Sequence, residues 1–256
     1  MKKTYRSDSL FLIQSLGEAD IQTGFLLAER IKEKPVLQSN AFFKDVVDKE
    51  AFLNFLKKIE RGIDDGSWEA PIIHIECHGY IDGSGLKLRI DGIEWSEVAP
   101  VLTRIKRKSK NNLLLVFGAC FSLSFLMEFS MFKPSYCSVL LGVDESVYPS
   151  GLDERFYVFY EHILLKSGSA NKAVALMNEG YTAEDGLFRI YPTVRLLNAA
   201  INAQKQLVED PTSRRKWAEE LKAKPESGDL TVDQIEQMLI AQSQVSREKA
   251  IKAFTS

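Results

Sequence analysis

The chain has 256 residues, 45% of them hydrophobic and 27% charged, so it is long enough to bury a sizeable apolar core. Its formal net charge of −2 gives no reason to expect nucleic acid or another polyanion as a partner. Three cysteines are too few for a disulfide framework and favour a reducing compartment, which we expect to be the cytoplasm.

Apolar, strand-like runs alternate with segments of helical periodicity over the first two-thirds of the chain. The predicted strands are 9–16, 35–42, 71–78, 112–119 and 136–143, with a hairpin over 85–95 that turns at Asp91-Gly92. The predicted helices between them are 24–34, 49–63, 95–108 and 121–132. Alternating strands and helices predict an α/β fold with a mainly parallel sheet and helices on both faces.

The basic run RIKRKSK (104–110) closes the predicted helix that begins near Glu94 and Glu97. Acid at the start and base at the end suit the helix dipole, so we interpret the run as a solvated helix end rather than a nucleic-acid patch. The N-terminal segment is too short and too polar for a signal peptide, and no stretch reaches the roughly 20 apolar residues of a membrane span. We therefore expect a soluble protein without a membrane partner.

Beyond residue 150 the pattern becomes mostly helical, with predicted helices at 153–168 and 169–180 and a last strand at 187–194. From about residue 205 the chain is highly charged, and Thr231 followed by Gln234 predicts a capping box. We divide the chain into a main domain, 1–204, and a helical C-terminal appendage, 205–256. The appendage is either a partner surface or an extension packed on the main domain.

His78 and Cys120 each follow a predicted buried strand, in PIIHIECHG and LLLVFGAC. Right-handed crossovers between parallel strands bring the carboxyl ends of those strands to one edge of the sheet, where sites are usually built. We therefore expect the two side chains on the same side of the molecule.

A cysteine and a histidine in that position can carry out nucleophilic catalysis. A free thiol with a pKa near 8.5 is mostly protonated at neutral pH and needs a neighbouring base, for which histidine is suited. The helix predicted after Cys120 would favour the thiolate through its dipole. The amides of Gly79 and Cys120 are the candidate oxyanion donors, since glycine can turn its amide toward the site.

Taken singly, each of these residues is more often structural than catalytic. His74, Cys77, Cys137 and His162 are best explained as packed side chains. A zinc site from His74, Cys77, His78 and Cys120 is the alternative, but neighbouring strand residues point to opposite faces, so we expect no metal. Asp144, Glu145 and Asp20 follow predicted strands and could line a pocket for a basic substrate side chain, or be ordinary solvated acids.

The blocks HIECHG and LLLVFGAC resemble the two signature blocks of the caspase-like, or clan CD, cysteine peptidases, in which apolar runs precede His-Gly and Ala-Cys. The segments at 86–102 and 138–151 look closest to the bacterial CHAT-domain branch. The resemblance covers roughly 8–200 and implies the caspase-hemoglobinase fold, His78 as general base or acid, Cys120 as nucleophile and no cofactor. Phe117-Gly118 replace the glutamine that precedes Ala-Cys in animal caspases, so aspartate specificity is not implied.

The resemblance implies a cysteine endopeptidase that cleaves a specific protein through an acyl-enzyme. It also implies control by a regulatory or effector partner protein and a place in bacterial antiviral defence. The alternative is a latent or inactive caspase-fold interaction module that binds a regulator. A third hypothesis is a Cys/His hydrolase that acts on something other than a peptide.

Overall fold

A computed structural model of the chain describes residues 7–34, 40–129, 134–166, 168–223 and 231–240. The chain divides into two compact units. The first comprises Met1–Phe129 with Tyr136–Thr193, and the second Ser130–Ser135 with Val194–Ser256.

The first unit contains an eight-stranded sheet. Its strands are β1 (Ser9–Ser15), β2 (Ala41–Asp45), β3 (Pro71–Gly79), β4 (Gly85–Lys87), β5 (Gly92–Glu94), β6 (Leu114–Gly118), β7 (Val139–Gly142) and β8 (Arg189–Pro192). The order across the sheet is β2-β1-β3-β6-β7-β8, while β4 pairs with the end of β3 and with β5. All pairs from β2 to β7 along that path are parallel, and β8 is antiparallel to β7. The predicted mainly parallel α/β fold is confirmed.

Helices cover both faces of this sheet. They are α1 (Thr23–Lys32), α2 (Lys49–Asp64), α3 (Trp95–Lys108), α4 (Leu152–Tyr160), which continues into a π-helix at Glu161–Leu165, and α5 (Ala170–Met177). Strand residues alternate between two apolar cores. Phe11 and Ile13 of β1 face α2 and α3, whereas Leu10 and Leu12 face α1, α4 and α5.

The helix ends follow from local sequence. Asp48 caps α2 by accepting a hydrogen bond from the Ala51 amide at 2.7 Å. Glu94 and Glu97 form a reciprocal capping box at the start of α3. At the other end of α3, Lys106 is only 3% exposed, so the prediction of a fully solvated basic end is wrong at that residue.

Several predicted boundaries differ from the structure. Strand β2 lies at Ala41–Asp45, at the far end of the predicted strand 35–42, whose residues 35–39 are outside the described part. The hairpin of β4 and β5 turns over 88–91, and Gly92 already belongs to β5. The segment after Cys120 is a 3-10 helix, Ser122–Glu128, rather than an α-helix.

The described part of the second unit is mostly helical. It contains most of α6 (Thr193–Glu209), all of α7 (Pro211–Lys222) and a helix over 232–240. Thr231 and Gln234 bond reciprocally, Thr231 N–H to Gln234 Oε1 at 2.8 Å and Gln234 N–H to Thr231 Oγ1 at 3.2 Å, so the predicted capping box is confirmed. Arg214 pairs with Glu236 at 3.1 Å, which ties α7 to the last helix.

Within the described ranges, no helix has both the length and the apolar content needed to span a membrane.

Candidate active site

The carboxyl ends of β1, β3, β6 and β7 lie at one edge of the sheet, because these four strands are parallel. β3 ends in His78-Gly79, and Cys120 lies two residues after β6. The loop after β1 carries Asp20, and the loop after β7 carries Val147. The topology therefore gathers these residues, as the strand pattern predicts for His78 and Cys120.

His78 is hydrogen-bonded to Asp20. Its Nε2 lies 3.0 Å from Asp20 Oδ2, and the two side chains are 52% and 36% exposed. An ionised carboxylate can only accept hydrogen bonds, so Nε2 carries the proton and Nδ1 of a neutral ring carries the lone pair. Asp20 thus fixes the tautomer and orientation of His78.

A tight turn holds Asp20 in place after β1. The Gly17 amide donates to Asp20 Oδ2 at 2.7 Å, and Asp20 N–H donates to the Gly17 carbonyl at 3.1 Å. Gln22 Nε2 bridges the carbonyls of Gly17 and Asp20 at 2.7 and 2.9 Å. The hydrogen bond from His78 lowers the pKa of Asp20, aided by the Gly17 amide and the charges of His78 and Lys87, against the opposing effect of burial.

The partly buried Cys120 is held by the loop that follows β7. The Val147 amide donates to Cys120 Sγ at 3.3 Å, and the Phe121 amide donates to the Glu145 carbonyl at 3.0 Å. Phe121 adopts a left-handed backbone with φ of 54°, which is uncommon for a residue with a β-carbon. The chain therefore turns sharply after Cys120, and the bond to Glu145 stabilises the turn.

The segments that carry His78 and Cys120 are in direct contact. A β-carbon at Gly79 would lie 1.9 Å from the Cys120 carbonyl oxygen and 3.5 Å from its α-carbon. The amide of Tyr80 points toward β4, where it donates to the Gly85 carbonyl at 3.1 Å. Because successive amides along a strand point to opposite sides, the Gly79 amide points away from β4. Among the described residues, no oxygen accepts a hydrogen bond from the Cys120 amide.

His78, Asp20 and Cys120 line one cleft that opens to solvent. Its walls are largely apolar, with Leu16, Ile21, Val147, Pro149 and Leu152, and its interior also includes Thr23, Glu76, Cys77 and Gly118. The cleft combines a thiol, a histidine oriented by a carboxylate, and apolar surface, and a thiol beside an oriented histidine is an arrangement that can perform nucleophilic catalysis.

Glu76 is a site residue that the sequence analysis missed. It is 1% exposed, and its carboxylate oxygens lie 2.9 Å from His74 Nε2 and 2.9 Å from Thr23 Oγ1. The signal was present in HIECHG, because residues 74, 76 and 78 of a strand share one face. A carboxylate in an otherwise apolar strand, on the face of His78, could have identified it.

The structure places the other predicted substrate-binding acids elsewhere. Asp144 is exposed and ion-paired with Arg189. Glu145 is exposed too, and it is its backbone carbonyl that supports Phe121. Neither lines the cleft, whereas Asp20 does so as the partner of His78.

The remaining cysteines are buried, and burial raises the pKa of both thiols. For Cys77 the nearby negative charge of Glu76 adds to that effect. Within the described ranges, no three histidine, cysteine or acidic side chains are grouped closely enough to hold a metal ion.

No family model and no curated protein sequence matches the chain. Among solved structures, it is similar to a secreted C11 cysteine protease from Bacteroides thetaiotaomicron, described in complex with an irreversible peptide inhibitor. The TM-score is 0.44 at 9% identity, over 78% of this chain and 70% of that one.

Proposed function

We propose that the protein is a cysteine endopeptidase with Cys120 as nucleophile, His78 as general base and acid, and Asp20 as the residue that orients His78. The observation that carries this proposal is that all three line one cleft, with His78 Nε2 3.0 Å from Asp20 Oδ2. A carboxylate in this position holds the tautomer and the orientation of a histidine that acts as general base and acid.

The reaction assigned to these groups is acyl transfer. His78 Nδ1 takes the proton of Cys120, and the thiolate attacks the carbonyl carbon of the scissile peptide bond. The tetrahedral intermediate collapses as the C–N bond breaks, and His78 returns the proton to the leaving amine. A water molecule, deprotonated by His78, then attacks the thioester, which releases the carboxylate product and the Cys120 thiol.

The predicted oxyanion donors fit this scheme. The Gly79 amide faces away from β4, and the Cys120 amide donates to no oxygen among the described residues. Both are therefore available for the negative oxygen that develops in the intermediate. The Val147 amide, 3.3 Å from Cys120 Sγ, supplies a further donor to the thiolate.

The resemblance of the His-Gly and Ala-Cys blocks to caspase-like peptidases supports a peptide bond as the bond cleaved. It extends the proposal to a specific protein substrate, to control by a partner protein, and to a role in bacterial defence close to that of CHAT-domain proteases. The helical second unit is the candidate surface for such a partner.

The test is the reactivity of Cys120 toward limiting iodoacetamide at pH 7, with the alkylated cysteine identified by mass spectrometry. We expect labelling of Cys120 well ahead of Cys77 and Cys137, because those two are buried and poorly ionised. In His78→Ala the Cys120 rate should fall by about ten-fold or more. Protein unfolded in urea is the control and should label equally at all three cysteines.

A Cys120 rate that is unchanged in a folded His78→Ala variant would contradict the proposal. It would favour the interaction module, in which Cys120 needs no base.

A further inference from the structure

Glu76 has the geometry of a recognition residue in this cleft. It lies on β3 two residues before His78, on the same face of the strand, and it lines the cleft together with His78 and Cys120. Glu76 therefore borders the space that a substrate enters, although its side chain is only 1% exposed.

Two glycines leave room for this carboxylate. Gly118 is the partner of Glu76 across β3 and β6, and a β-carbon there would lie 2.3 Å from Glu76 Oε2. A β-carbon at Gly24 would lie 3.1 Å from Glu76 Cγ. Neither site could carry a side chain without moving Glu76, so the acid occupies space that the neighbouring segments leave open.

Two hydrogen bonds hold the Glu76 carboxyl group in place. Thr23 donates to Oε2, and His74 Nε2–H donates to Oε1. The Tyr160 hydroxyl lies 2.8 Å from His74 Nδ1, and a neutral His74 with its proton on Nε2 is compatible with both contacts. Among the described residues, no lysine or arginine nitrogen lies within ion-pair distance of Glu76.

A carboxylate has room for about four hydrogen bonds, and two of those positions are filled here. Burying an ionised acid without a cation is unfavourable, and a cationic group that enters the cleft would offset that cost. The apolar walls, including Leu16, Ile21 and Val147, suit the aliphatic stem of a long basic side chain. An acidic side chain would meet a like charge.

We propose that Glu76 forms the floor of the pocket for the side chain that precedes the scissile bond, and that it selects lysine or arginine there. This inference rests on the proposed peptidase function. It assigns to Glu76 the recognition role that the sequence suggests for Asp144, Glu145 and Asp20.

The test uses peptidyl acyloxymethyl ketones that differ only in the P1 residue: lysine, arginine, norleucine or aspartate. In this reaction the Cys120 thiolate forms a C–S bond to the methylene carbon and the acyloxy group leaves as a carboxylate. We expect the full chain to react with the lysine and arginine probes about 100-fold faster than with norleucine, and slowest with aspartate. Labelling is measured by the mass of the Cys120 peptide.

In Glu76→Gln the ratio of the labelling rates with a basic probe and with norleucine should fall from about 100 to below about ten. Iodoacetamide should still label Cys120 selectively in this variant. Glu69→Gln is the matched control, since Glu69 is 71% exposed and lies before the other end of β3. The wild-type preference by itself tests the inference if Glu76→Gln does not fold, as judged by thermal unfolding.

Two results would overturn the inference while leaving the peptidase intact. One is a wild type that labels selectively with iodoacetamide but reacts fastest with norleucine or aspartate, or with none of the probes. The other is a folded Glu76→Gln variant with an undiminished basic preference. Loss of selectivity even toward iodoacetamide would instead overturn the proposed function, and this inference with it.

Discussion

Gly79 lies so close to Cys120 that a β-carbon on it would be 1.9 Å from the Cys120 carbonyl oxygen. This contact explains why the strand that carries His78 ends in glycine. The segment after β6 passes directly over the end of β3, and only a residue without a side chain permits that approach. The relative position of His78 and Cys120, the proposed base and nucleophile, thus depends on residue 79 being a glycine.

We expect Gly79→Ala to separate the two segments and to slow the alkylation of Cys120 at pH 7 by about ten-fold or more. Backbone, rather than a flexible side chain, must move, so the free energy of unfolding should fall by about 1–3 kcal/mol. Urea unfolding and iodoacetamide labelling measure the two effects.

Gly180→Ala provides the control for Gly79→Ala. Gly180 has φ of 83°, but a β-carbon there would meet nothing within 4 Å, so this variant should lose stability and keep normal Cys120 labelling. Equal labelling in the two variants would mean that the contact at Gly79 does not position the site.

Asp20→Asn keeps the size of the side chain but lets it donate as well as accept, so it no longer enforces the Nε2–H tautomer of His78. We expect the rate of Cys120 alkylation at pH 7 to fall by about ten-fold, part of the 10²–10⁴-fold that acid–base catalysis contributes. The exposed Glu18 lies in the same turn, and Glu18→Gln should leave the rate unchanged. An unchanged rate in Asp20→Asn would assign Asp20 a role independent of His78.

The pH dependence of the same contact has a definite sign. The pKa of Asp20 is lowered, mainly by the hydrogen bond from His78. The ionised Asp20 therefore stabilises the folded state above the usual aspartate pKa, and this stabilisation is lost as pH falls through the lowered pKa. In NMR, the chemical shifts of the His78 ring should therefore report the protonation of Asp20 as a transition below about pH 4. In Asp20→Asn that acid transition should be absent from the His78 spectrum.

The sequence predicts the edge of the sheet where the site lies but not all of its members. His78 and Cys120 are found because each ends an apolar run, and strand ends in a parallel sheet converge for reasons of topology alone. Asp20 is singled out only as an acid after a strand. Its contact with His78 depends on the turn that Gly17 and Gln22 close, and such side-chain bonds leave no periodic pattern.

Buried charged residues are the other feature that the hydrophobic pattern of the sequence does not predict. Glu76 and Lys106 are both nearly inaccessible, although charged residues are usually expected at the surface. Glu76 is accommodated by His74, two residues before it on the same strand, and by Thr23 and the space at Gly118, which are distant from it in sequence. Only the assembled sheet brings these groups together.

Glu60 joins α2 to α3 through Arg104 at 3.1 Å and Lys108 at 2.9 Å. Burial raises its pKa, but the hydrogen bonds from Lys108 and Arg104 outweigh burial and lower it. Glu60→Gln should reduce the free energy of unfolding by about 0.5–1 kcal/mol at pH 7. The difference should disappear as pH falls through the lowered pKa, where the wild-type acid is protonated too. Glu179→Gln, an exposed site, should show no such pH-dependent difference.

The space at Gly118 provides a direct measure of how tightly Glu76 is held. A β-carbon at 118 would lie 2.3 to 2.5 Å from three atoms of the Glu76 carboxyl group, so Gly118→Ala must displace it from Thr23 and His74. We expect a loss of about 1–3 kcal/mol in the free energy of unfolding. In a Glu76→Ala background the same substitution meets no carboxylate and should cost much less, which a double-mutant cycle reports as a coupling energy. Additive costs in that cycle would show that the carboxylate does not occupy the space beside Gly118.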